Sequence, residues 1–141
     1  MFPKHITLEA INQMNRGNML EHLGIEFTDI GEDSLTARMP VDHRTKQPMG
    51  LLHGGASVAL AESLGSVASY LCVDSERYAC VGLEINANHI KSAREGFVYG
   101  TVRSLHFGKR THVWEIRVTN ADQQLVCISR LTVAVIDRSS L

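Results

Sequence analysis

Between Gly54 and Leu71 the sequence reads GGASVALAESLGSVASYL, with apolar residues at helical spacing that run most of the way round the helix. Ala56, Ala59, Leu60, Leu64, Val67, Ala68 and Leu71 leave little of its circumference polar, so this helix, starting at Gly54 or Gly55, needs cover on several sides. The rest of the chain offers β structure as that cover. IEFTDI and LTARMPV flank a GEDS turn and predict a hairpin. Downstream, ACVGLEINANHI, GFVYGTVRSLHF, THVWEIRVTN and LVCISRLTVAVI are rich in β-branched and aromatic residues and are separated by Gly, Asn or Asp turns. Two strands, one long apolar helix and four more strands predict an α+β fold, with one curved antiparallel sheet wrapped on the helix. Upstream, ITLEAINQMNRGNML predicts a short amphipathic helix, N-capped by Thr7 with Glu9 in its first turn, that breaks near Gly17. DHRTKQPMG, with Pro48 and Gly50, predicts an irregular loop. At 141 residues, with no repeat, linker or low-complexity tract, the chain is expected to be a single domain over 1–141.

Charge narrows the partners. Fourteen Lys and Arg against 15 Asp and Glu give no basic stripe, so no nucleic-acid partner is expected. No stretch approaches the ~20 apolar residues of a membrane helix, and MFPKHITLEA lacks the apolar core of an export signal. With Cys72, Cys80 and Cys127 expected as unpaired buried thiols, the expected location is the cytoplasm. His5, His22, His43, His106 and His112 show no paired ligand spacing, so no metal site is expected.

Glu62 interrupts the apolar helix. An ionised carboxylate in apolar surroundings is costly unless it is solvated or used. One reading places it on a solvated stripe with Ser66 and Ser69, one and two turns further on. A second reading follows from the HGG that begins the helix. Two glycines at a helix start leave backbone N–H groups bare, able to polarise a carbonyl or hold an oxyanion. A carboxylate, an amide and an imidazole near one polarising helix end are sufficient parts for acyl transfer to water.

MPVDHRTKQPMGLLHGGASVALAESLGS, VGLEINANHIKSAREG and LHFGKR, in that order and spacing, resemble the signature of the hotdog-fold acyl-CoA thioesterases, over nearly the whole chain. The resemblance implies a five- or six-stranded antiparallel sheet around a central helix. It implies hydrolysis of an aryl or related acyl-CoA to free acid and CoA, without a cofactor beyond the CoA of the substrate. Acyl-carrier-protein thioesters are the alternative substrate. Glu62 then matches the carboxylate that activates water or attacks the thioester carbon, and Gly54 the residue whose N–H polarises the carbonyl. Gln47 and His53 match side chains that position the carbonyl and the leaving thiol, and Ser66 one that orients the carboxylate. Gly82, His89, Ile90, Lys91, Ser92, His106, Gly108, Lys109 and Arg110 fall at the positions implied to hold coenzyme A. Met49 stands where relatives often carry phenylalanine, while Val67 and Tyr70 would line an acyl pocket.

Two rival readings share the fold. A dehydratase needs a His paired with a carboxylate, and a noncatalytic acyl-CoA-binding protein would not keep Glu62. Gly54 and Glu62 are eight residues apart, about 12 Å at ~1.5 Å per residue, too far for one carbonyl to touch both. A two-fold axis laying two helices antiparallel would close that gap. The expectation, which the resemblance shares, is a homo-oligomer with composite sites, usually a dimer of dimers.

Overall fold

The computed structural model describes residues 1–141. Helix α1 (Leu8–Met14) begins where Thr7 Oγ1 accepts the Ala10 N–H, and the chain breaks at Gly17 with a φ of +74°. Met19 and Leu20 do not extend that helix. They belong to a separate turn, α2 (Met19–His22), capped by Asn18. Strands β1 (Glu26–Ile30) and β2 (Ser34–Pro40) form the expected hairpin. After the loop comes α3 (Gly54–Leu71), then β3 (Tyr78–His89), β4 (Phe97–Phe107), β5 (Thr111–Thr119) and β6 (Leu125–Asp137).

All six strands lie in one antiparallel sheet of order β1-β2-β4-β5-β6-β3. The sheet curls round α3, which packs against β2 to β6. That explains why the helix is apolar almost all round: Ala56, Leu60, Ala61, Leu64, Ala68 and Leu71 are all buried. Strand periodicity supplies the facing side, with Val98 and Val102 on β4, Trp114, Ile116 and Val118 on β5, and Leu131 and Val133 on β6. Each large aliphatic side chain in this interface contributes about 2 kcal/mol on burial. Helix and sheet approach so closely that a Cβ on Gly100 would lie 2.5 Å from Leu64 Cδ1. No helix is long and apolar enough to cross a membrane.

Ser69 departs from the solvated-stripe reading. It is fully buried, its Oγ accepting from Trp114 Nε1 at 2.7 Å and lying 3.0 Å from His112 Nδ1. His112 is itself buried and stacked on Phe107, and burial holds its pKa below the ordinary imidazole value. The three cysteines are free, and burial pushes each thiol up, Cys72 to about 11.

Candidate active site

The loop before α3 is irregular in backbone but tightly tied. Arg44 grips Asp42 with its main-chain N–H and guanidinium, which pulls the Asp42 carboxyl down to about 2. Thr45, buried, donates to the Pro40 carbonyl, while the N–H groups of Leu52 and His53 donate to Ala93 and Thr45 at 2.8 Å each. Gln47 sits on this frame with its Oε1 accepting the Met49 N–H. Its Nε2 donors are left without a partner in the chain, and Gln47 lines the same cleft as Gly54. Met49 meets this frame through its backbone N–H, while the residue is 74% exposed.

His53 is the N-cap of α3. Its Nδ1 accepts the Gly55 N–H at 2.8 Å, so that nitrogen carries no proton and the neutral ring presents an N–H from Nε2. One of the two glycine amides is thereby used by the cap. The other, Gly54 N–H, has no acceptor in the chain and stands at the positive end of an 18-residue helix. His89, the last residue of β3, lies over it: a Cβ on Gly54 would come 2.8 Å from His89 Nε2. Gly54, Gln47, His89, Ile90, Lys91 and Ser92 share one cleft of about 350 Å³.

Glu62 is elsewhere. Two turns along α3, half-buried, it makes no hydrogen bond or ion pair within the chain. Its Oε1 lies where a Cβ on Gly82 would be 2.8 Å away. Gly82 was expected among the coenzyme A contacts; in this chain the carboxylate occupies the space beside it. Ser66, expected to orient Glu62, is not hydrogen-bonded to it and instead lines a second cleft with Val67, Tyr70 and Cys80.

The residues expected to hold coenzyme A also divide. His89 to Ser92 surround the N-terminal end of α3. Lys109 and Arg110 lie in the β4–β5 turn, in a cleft with Arg77, Tyr78 and Asp137. His106 and Gly108 are at the same turn, the Gly108 N–H donating to Thr111. Strand pairing sets Tyr78 opposite Asp137 and His89 opposite Cys127. At ~3.3 Å per residue along β3, the two groups are therefore roughly 35 Å apart. No contiguous set of three or more His, Cys, Asp or Glu side chains is arranged to hold a metal ion.

A single chain thus holds two incomplete half-sites. One is a helix N-terminus with a free amide donor, and the other is an unpartnered carboxylate against Gly82 of β3. Sequence reasoning named these residues but missed the Gly82–Glu62 approach and missed Asn15, which borders the second cleft. Neither has a local sequence signal, because both arise from contact between distant elements.

Residues 49–127 match the model of the thioesterase superfamily. The chain is 57% identical over 136 residues to 1,4-dihydroxy-2-naphthoyl-CoA hydrolase of Escherichia coli, covering 96% of this chain and 99% of that protein. It is 48% identical over 135 residues to a proofreading thioesterase, EntH, of Cronobacter turicensis, covering 96% and 98%. In three dimensions it resembles a crystallised mutant thioesterase of Pseudomonas aeruginosa with a TM-score of 0.94 at 52% identity, covering 96% of this chain and 98% of that one.

Proposed function

The chain belongs to the thioesterase superfamily, and from that premise we propose that it hydrolyses aryl-CoA thioesters, with 1,4-dihydroxy-2-naphthoyl-CoA, a menaquinone precursor, as the physiological substrate. The observation that carries this reading is Glu62: a half-buried carboxylate with no partner in its own chain, its Oε1 against Gly82 of β3. A carboxylate in that setting is either solvated or used. This one is left available for a reacting group.

The thioester carbonyl oxygen accepts from the Gly54 N–H, whose helix dipole favours the negative charge that develops there. The Gln47 amide and the His53 Nε2–H are further donors at the same end. Glu62 acts at the carbonyl carbon, either by taking the proton of an attacking water or by attacking directly and being released by water afterwards. In the first route the water oxygen bonds to carbon, its proton passes to Glu62, the C–S bond breaks and the sulfur leaves as the CoA thiolate. Both routes end in free acid and CoA.

Because Gly54 and Glu62 of one helix are separated by about 12 Å, the complete site takes Gly54 from one copy and Glu62 from a second. The same two-fold pairing joins His89–Ser92 of one copy to Lys109 and Arg110 of the other, so one coenzyme A nucleotide meets both groups. Their cationic and hydroxyl donors suit its phosphates. The protein works as a homo-oligomer, a dimer of dimers, in the cytoplasm, with no cofactor beyond the coenzyme A of its substrate. A specific observation favours a second reading for the acyl carrier: the 48% identity to a proofreading thioesterase. Thiol release, followed with a thiol-reactive dye, from naphthoyl-CoA, benzoyl-CoA, an aliphatic acyl-CoA and an aryl carrier-protein thioester separates these. Naphthoyl-CoA is expected to have the highest kcat/KM; a higher value on the carrier-protein thioester would transfer the assignment, and binding without turnover would refute hydrolysis.

A further inference from the structure

Three serines are at most 3% exposed, and two of them are satisfied. Ser69 Oγ meets Trp114 and His112, and Ser129 Oγ donates to the Asn86 carbonyl at 2.8 Å. Ser57, 1% exposed in the first turn of α3, has no hydrogen-bond partner in the chain for its hydroxyl. A helical serine can fall back on the carbonyl four residues earlier, as Ser63 does with Ala59 at 2.6 Å. Ser57 does not, because the His53 carbonyl already takes the main-chain N–H groups of Ala56 and Ser57, at 3.0 and 3.2 Å. A buried hydroxyl without a partner costs free energy, and in native proteins it calls for an explanation.

The explanation lies in where Ser57 opens. Only one buried side-chain polar atom in the chain is both unpaired and sealed from solvent, and it is Asn15 Nδ2. The Ser57 hydroxyl is unpaired but not sealed, so the little surface that this residue exposes belongs to its oxygen. Ser57 lines the cleft of about 350 Å³ that also holds Gly54, Gln47, His89 and Lys91. It follows Gly54 by three residues, the spacing that sets two residues side by side on one helix face, and helical side chains lean towards the N-terminus. The Gly54 N–H and the Ser57 hydroxyl are therefore neighbours on one wall of the cleft, both without a partner. A positive helix end draws an acceptor, so the group that satisfies Gly54 is an oxygen, and the rotatable hydroxyl can turn its proton to that same oxygen.

We propose that Ser57 is a further catalytic residue: beside the Gly54 N–H, its hydroxyl donates to the thioester carbonyl oxygen, and that bond tightens as negative charge gathers on the oxygen in the transition state. This rests on the thioesterase reading of the Gly54 end. The hydroxyl keeps its proton throughout and supplies a dipole already in place before the reaction begins. Both donors belong to one helix of one copy, so this half of the site is set within the monomer, whichever copy brings Glu62. A bond that strengthens only on the oxyanion acts on kcat, whereas a bond to the pantetheine arm, equal in ground and transition states, would act on KM.

The test uses the full chain and sets the turnover of benzoyl-CoA against the binding of S-benzyl-CoA, in which a methylene replaces the carbonyl, in the native protein and in Ser57→Ala. Losing one hydrogen bond to a charged oxygen should lower kcat on benzoyl-CoA by about 10- to 100-fold. KM and the inhibition constant of S-benzyl-CoA should stay within twofold of native, with Tm unchanged or raised, because no bond within the chain is lost. Ser57→Cys, a weaker donor of similar shape, should fall between the two in kcat, and it carries the same comparison should Ser57→Ala not fold. The proposal is overturned if kcat of the folded variant stays within threefold of native, or if S-benzyl-CoA binding weakens as much as turnover falls, which would give the hydroxyl to packing or to the pantetheine arm. Either result beside normal native turnover defeats the role of Ser57 alone. Absence of native turnover on every thioester defeats the thioesterase reading together with it.

Discussion

Glu62 is placed by what Gly82 lacks, and Gly82→Ala measures how much that placement matters. The added Cβ would stand 2.8 Å from Glu62 Oε1, and regaining ordinary contact at 3.4 Å requires the carboxylate to retreat by about 0.6 Å. What must move is the free end of a flexible side chain with no hydrogen bond to break, so the fold should lose no more than about 1 kcal/mol, or ~3 °C in Tm for a domain of this size. The chemistry is less forgiving. A 1 Å misplacement of a reacting group costs roughly 10²-fold, so a retreat a little over half that size should lower kcat by about 10- to 50-fold. KM should change little, because Glu62 does not hold the nucleotide. Thiol-release kinetics beside a thermal melt read both quantities. In the Glu62→Asp background the shorter side chain leaves room for the methyl group, so the added loss from Gly82→Ala should shrink, a coupling that a packing defect would not show. Gly100→Ala is the control: its Cβ would meet Leu64 at 2.5 Å and Leu60 at 3.3 Å in the core, and overpacking there should cost about 1–3 kcal/mol with the turnover of folded protein preserved. A Gly82→Ala protein with kcat within twofold of native, or with a Tm loss like that of Gly100→Ala, would refute the argument and make Gly82 an ordinary packing glycine.

Glu62→Gln keeps the shape and removes the proton acceptor, so turnover should fall roughly 10²- to 10⁴-fold with Tm unchanged; turnover within threefold of native would return Glu62 to a passive role. Lys109→Ala with Arg110→Ala should raise KM for aryl-CoA more than for the matching pantetheine thioester, since only the nucleotide phosphates lose partners; equal changes would remove the pair from the site. Because burial lowers the pKa of His112, the unfolded chain binds a proton that the folded one refuses. Stability should therefore be full above the unfolded value near ~6.5 and decline as pH falls below it, levelling off under the lower folded value. His112→Phe should flatten the dependence of Tm on pH in that window, and an unchanged slope would assign it to other groups. Co-refolding inactive Glu62→Gln with inactive His53→Ala should restore activity if a site draws on two chains, since a mixed dimer then has one doubly damaged and one intact site; no recovery would mean that each site lies within one chain.

The elements were legible because their signals are local. Thr7 caps α1, the HGG start and all-round apolar pattern mark α3, and alternation marks the strands, within a residue or two of their observed ends. The sheet order, with β3 at the edge beside β6, was not legible, because nothing in the text between residues 78 and 89 states its partner. For the site the same line holds. The candidate residues on α3, Gly54 and Glu62, follow from spacing on one element. Gly82 is different: its place beside Glu62 comes from the packing of β3 on α3, and the family resemblance alone gave it a coenzyme A role. Ser69 shows the converse error, since a serine on the presumed polar stripe faces inward, where Trp114 and His112 satisfy it. A polar residue read from sequence has no partner yet, and only the fold supplies one.

Strand β3 bears on the proposed homo-oligomer. It pairs with β6 and lies against both groups of candidate residues, with Gly82 against Glu62 and His89 over Gly54. Its outer edge has no partner strand, over 12 residues, and Val81, Leu83 and the adjoining Ile90 are 40, 64 and 60% exposed. Glu84 and Asn86 are exposed on the same strand, but a long unpaired edge still invites another strand, and natural proteins rarely leave one bare. A second copy of β3, laid antiparallel about an axis near Ile85 and Asn86, would cover it and set Gly82 of one strand across from His89 of the other. That single pairing moves the Glu62 seat of one copy toward the Gly54 seat of its mate, and carries the Lys109–Arg110 turn toward Ser92. Burying the edge and completing the site are then one event, so selection for either maintains the other. On the proposed pairing, the exposed Val81 and Leu83 would be covered in the same event that completes the proposed site.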